Sequence, residues 1–138
     1  MRIMAIDYGD AHTGIAISDP TGFLAGFTTV IDAYRPEVVA DRIAALAREH
    51  GVEELVLGHP INMDGTRGPR SEKAQAMKAL LEETTSLPVV LWDERRTTID
   101  AHQILFNSGE NAKKRKKVVD AVAASLILEG YLTYKKNH

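Results

Sequence analysis

Three carboxylates sit where packing alone would not put them. Asp7 ends the apolar run "RIMAI", Glu94 follows Asp93 directly after "PVVLW", and Asp120 interrupts a greasy stretch between Val119 and Ala121. An unpaired buried carboxylate is costly, so each needs an arginine, backbone donors or a metal ion. Singly, each has an ordinary explanation. Asp7 can cap a turn in "DYGD", Asp93 and Glu94 can pair with Arg95, Arg96 or Lys117, and Asp120 can share a polar stripe with Lys116 and Lys117. Together they form a hard-oxygen set, and three carboxylates with water suit Mg²⁺ or Mn²⁺. Two such ions about 3.5–4 Å apart activate water and stabilise the leaving oxygen of a phosphodiester. Asp93 and Glu94 cannot both face that site while the strand persists, because side chains alternate.

Polyanion contacts have two candidates. The run Lys113, Lys114, Arg115, Lys116 and Lys117 lies just before Asp120, and "GTRGPRSEK" offers Arg67, Arg70 and Lys73 at a helix start. A charge run is commonly a solvated face, and a Gly-rich loop is commonly only a connection. Aromatic residues are few near either, so backbone contacts rather than base stacking are expected as the main binding mode. The five histidines show no HxxxH or HxH spacing, which argues against zinc, and the absence of cysteine excludes thiolate ligands and disulfides.

The elements that must position these residues read β-β-β-α-β-α-β-α-α. "RIMAIDYG", "HTGIAISDP" and "GFLAGFTTVID" are three strands with short joints, as in an antiparallel meander. Pro36 opens a helix with Val39, Ile43, Leu46 and His50 on one face, and Gly51 stops it. "ELVLG" is continuously apolar, as suits a strand covered on both faces. After the loop "HPINMDGTRGP", a second helix turns Ala74, Met77, Leu80 and Leu81 inward. "PVVLW" is the last strand, residues 98–107 read as helical, and a terminal helix runs from about Lys114 to Tyr134. The order implies an α/β fold, a mixed five-stranded sheet with helices on both faces, in a single domain over residues 1–138. If the first and last strands run parallel, Asp7 and Glu94 emerge at one edge, where ligands of open α/β sheets bind.

Composition fits that class. The 138 residues are 44% hydrophobic and 26% charged, enough for one core and ordinary for a globular chain. No window reaches the roughly 18–20 apolar residues of a membrane span, and the opening residues do not read as a signal peptide. A cytoplasmic location is therefore expected. The net charge of −2 hides an asymmetry: residues 111–138 hold 7 Lys/Arg against 2 Asp/Glu, and the rest hold 10 against 17. An acidic body with a basic end can meet a polyanion while keeping carboxylates for metal.

"IDYG" with "GIAISDP", "LGHPINMDGTRGPRSEK", "VVLWDERRTT" and "RKKVVDAVAASLILEGYL" resemble, in order and over nearly the full length, the YqgF/RuvX family. The resemblance implies a ribonuclease H-like fold and a nuclease of the 5′ end of the pre-16S ribosomal RNA. The same family was earlier described as a Holliday junction resolvase. Motif matching carries the acidic metal positions onto Asp7, Glu94 and Asp120, leaving Asp93 and Arg95 to orient the turn beside them. Two departures stand out: Ala11-His12-Thr13 replaces the usual Lys-Arg-Ile, and His59 stands at a usually apolar position. Structured RNA is the expected partner and branched DNA the alternative, with no membrane and at most a weak homodimer. A non-catalytic RNA-binding module is the reading from a different class.

Overall fold

The computed structural model describes residues 1–22, 25–60, 68–93 and 112–137, with side chains of 112–120 and 137 left aside. The expected helix over 98–107 lies outside the described residues, as do Arg67, Glu94 and Arg95.

Five strands form one sheet: β1 (Arg2–Asp7), β2 (His12–Ser18), β3 (Ala25–Asp32), β4 (Val52–His59) and β5 (Val89–Asp93), in the order β3-β2-β1-β4-β5. The first three make the antiparallel meander, whereas β1 and β5 both run parallel to β4. Helices α1 (Pro36–His50) and α2 (Pro69–Thr85) supply the crossovers, and α3 (Ala112–Asn137) closes the chain. The β1–β2 joint tolerates no side chain at Gly9, where a Cβ would stand 2.4 Å from the His12 carbonyl oxygen.

Strand alternation divides the core in two. Met4 and Ile6 of β1, Ile15 and Ile17 of β2, and Leu55 and Leu57 of β4 pack under Val39 and Ile43 of α1 and Met77 and Leu81 of α2. Ile3 and Ala5 of β1, Ala16 of β2, Val56 of β4 and Trp92 of β5 pack under Ala124, Ile127, Leu128, Tyr131 and Leu132 of α3. Helices therefore cover both faces, as the element order implied. Leu46 and Leu80 are only partly buried, at the margin of the first cluster.

The terminal helix is longer than expected at both ends. Ala, Lys and Arg extend a helix at little cost.

Candidate metal and nucleic-acid site

The register of the parallel strands fixes which residues share an edge. Ile6 stands beside Leu57, Gly58 beside Trp92, and His59 beside Asp93, so β1, β4 and β5 end together. Asp7 therefore emerges at the carboxyl edge of the sheet, with β4 between it and the end of β5. Two strand spacings separate β1 from β5, about 10 Å.

Faces discriminate further. Asp7 continues the Ile3, Ala5 series and lies on the α3 face. It is half-buried, and its antiparallel partner is Gly14, which sets no side chain beside the carboxylate. Asp93 continues the Val89, Leu91 series and lies on the opposite face, under α2. The two acids thus share an edge without sharing a side of the sheet. Glu94 lies outside the described residues.

The third acid is placed by its helix. Position 120 belongs to α3, four residues before the fully buried Ala124, which shares a sheet-facing stripe with Ile127, Leu128 and Tyr131. That register is anchored at the far end, where the Tyr131 hydroxyl donates to Glu54 Oε1 at 2.5 Å and Lys135 Nζ approaches the same oxygen at 3.5 Å. Burial, then the hydrogen bond to Glu54, pushes the Tyr131 pKa well above its usual range. The rings of Trp92 and Tyr131 meet edge-on at 5.8 Å and add a second clamp. Among the described residues no three His, Cys, Asp or Glu side chains converge on one point. Asp7 is the one member of the expected trio whose side chain is described, and a half-buried carboxylate facing an open partner position suits a hard divalent cation.

The cationic residues divide. Arg70 is exposed in the first turn of α2, at the same edge but on the Asp93 side. Lys73 is committed to Asp10, Nζ to Oδ1 at 3.0 Å, 63 positions away in sequence. Residues 113–117 form the opening turns of α3, which contains no acid in its first turn.

The two departures from the family pattern have structural roles. His12 Nδ1 lies 2.6 Å from Asp32 Oδ1, its cross-strand partner on β3, and Thr13 is buried on the α1/α2 face. His59 is buried with Nε2 2.6 Å from Ser71 Oγ, so it ties the end of β4 to the start of α2. Sequence reasoning gave neither partner, because each contact joins separate elements.

Comparison with known proteins gives a family and a fold. The family model described as "RuvX: Holliday junction resolvase" matches residues 1–134. A Halothermothrix orenii protein named "Putative pre-16S rRNA nuclease" is 45% identical over 135 residues, spanning 98% of this chain and 96% of its own. In structure, Thermus thermophilus RuvC, solved with a Holliday junction substrate, superposes with a TM-score of 0.64 at 12% identity over 99% of this chain and 96% of that one. The fowlpox virus resolvase, also solved with Holliday junction DNA, gives 0.59 at 12% identity over 98% and 99%. Those two likenesses establish the ribonuclease H-like fold, and with the family match over nearly its whole length the chain belongs to the RuvX family.

Proposed function

We propose that the chain is a metal-dependent endonuclease that processes the 5′ end of the pre-16S ribosomal RNA. The observation that carries this reading is the position of Asp7: at the carboxyl edge, on the α3 face, opposite a residue without a side chain. Two further placements support it. Glu94 follows Asp93 directly in the chain, and the longer glutamate side chain suits a reach across β4. Ile3 stands beside Glu54, so Asp7 lies about 13 Å further along β1 at strand rise. From Tyr131 back to Asp120, α3 spans about 16 Å, long enough to cover that distance on a slant.

In this account Asp7, Glu94 and Asp120 hold Mg²⁺ or Mn²⁺. The bound ions supply charge to the scissile phosphate and acidify the attacking water. Arg67, Arg70 and residues 113–117 grip flanking phosphates. Lys73 holds Asp10 and acts on the shape of the β1–β2 hairpin. Asp93 and Arg95 orient the turn after β5. The family relatives' name favours ribosomal RNA and hence work beside ribosomes in the cytoplasm. The protein acts as a monomer or a weak homodimer.

The test is Mg²⁺-dependent cleavage by the purified chain of a pre-16S 5′ segment and of a matched four-way DNA junction. Cleavage of the RNA at the mature end supports the reading. Cleavage confined to the junction makes the protein a resolvase, and binding of RNA without cleavage makes it a binding module.

A further inference from the structure

A pocket of about 260 Å³ opens between the β1–β2 hairpin, the start of α1 and α2. Met77 and Leu80 give it an apolar floor, and Tyr8 and Tyr34 contribute their rings. Tyr34 is 79% exposed, an aromatic face that nothing covers among the described residues. The polar group at the rim is the Lys73–Asp10 pair, an ammonium donor 3.0 Å from a carboxylate acceptor. We propose that this pocket is a subsite for one unpaired guanine base of a nucleic-acid strand.

Size, charge and hydrogen-bond pattern each narrow the ligand. The volume falls below the roughly 300 Å³ at which pockets for drug-sized ligands begin, so one ring system fits and a larger ligand does not. Lys73 and Asp10 offset each other at the rim, which suits a neutral base better than a phosphate. A carboxylate accepts from two neighbouring N–H groups, and an ammonium donates to an adjacent oxygen. Guanine alone offers N1–H and N2–H beside O6 on its Watson–Crick edge. Adenine, cytosine and uracil each present an acceptor where the second donor is needed. The Lys73–Asp10 pair is solvent-exposed, so admitting a base between its members costs little.

Location ties the pocket to the nuclease reading, on which its biological use rests. Tyr8 follows Asp7 in the chain and faces the other side of the sheet. A strand whose phosphate lies at Asp7 reaches the pocket by crossing the sheet edge between the two faces. Only an unstacked base can enter, as in single-stranded or bulged RNA. The subsite thus selects a cleavage position by the base beside the scissile phosphate.

The experiment titrates the full chain, without metal, with the 5′-monophosphates of guanosine, adenosine, cytidine and uridine, followed by amide chemical shifts. A shared phosphate cancels between the four. Guanosine monophosphate is expected to bind at least about fivefold more tightly, with shifts centred on Tyr8, Tyr34 and Lys73. Tyr34→Ala should weaken it about tenfold, the scale of one lost stacking partner. Asp10→Ala should abolish the preference among bases while the unperturbed amides of α3 report an intact fold. Equal binding of all four, no binding, or a guanosine preference indifferent to both substitutions overturns the proposal. Cleavage is not read in this assay, so its failure and that of the nuclease reading are separable.

Discussion

Asp7 and Asp93 end strands that run the same way and stop at the same edge, yet they face opposite sides of the sheet. Asp7 faces α3, and Asp93 stands beside His59 under α2. Asp93, the first of the two consecutive acids after the apolar run, is therefore turned away from the side that Asp7 faces. Glu94→Gln should cut turnover by more than the roughly 10- to 100-fold typical of losing an outer partner of a metal site. Its melting temperature should stay near that of the parent chain. Single-turnover cleavage and thermal melts of the variant check both halves.

The basic run works against the helix that carries it. Four lysines and an arginine open α3, at the positive end of its dipole, where each such charge opposes the helix by about 0.3–1 kcal/mol. Replacing Lys113, Lys114 and Lys116 by Ala should therefore raise the melting temperature. The same variant should bind nucleic acid more weakly, with the slope of log K against log salt reduced by about 0.7–0.9 per lost phosphate contact. An unchanged slope would leave the run as a solvated helix start.

Much of this arrangement is legible from residue order. Apolar runs ending in acids mark β1 and β5. Contacts between separate elements are not legible. Lys73 reads as a phosphate ligand at a helix start, and only the fold shows it reaching Asp10. His59 reads as an oddity until Ser71 appears beside it, and the pocket under Tyr34 is assembled from three segments that share no motif.

His59 and Ser71 form a buried polar pair, and Ser71 Oγ also accepts from Gln75 Nε2 at 3.4 Å. His59→Leu should cost about 1 kcal/mol, the net worth of the lost hydrogen bond. Adding Ser71→Ala should recover part of that loss, although leucine suits the position in hydrophobicity. Denaturant melts of the two single variants and the double variant measure the coupling. Strict additivity would show that the 2.6 Å contact contributes nothing.

Tyr131 anchors α3 to β4, and its raised pKa carries a signed consequence. Burial and the Glu54 carboxylate hold the proton in the folded state above the ordinary value of 10.0. That contribution is complete below about pH 10 and is lost as pH rises toward the folded value. Tyr131→Phe should lower stability at pH 8 by about 1 kcal/mol, the net worth of one hydrogen bond. It should also flatten the decline between pH 10 and 11, which melts of both proteins across that range would reveal.

The central claim is that the chemistry lies on the α3 face of the sheet edge, centred on Asp7. Its most direct test is turnover of a pre-16S 5′ segment by Asp7→Asn and Asp93→Asn, measured in parallel in Mg²⁺. Asp7→Asn should lose cleavage altogether while melting as the parent does, and Asp93→Asn should cleave within about tenfold of the parent, losing mainly stability. Near-native turnover by Asp7→Asn, or an inactive but folded Asp93→Asn, would contradict the account.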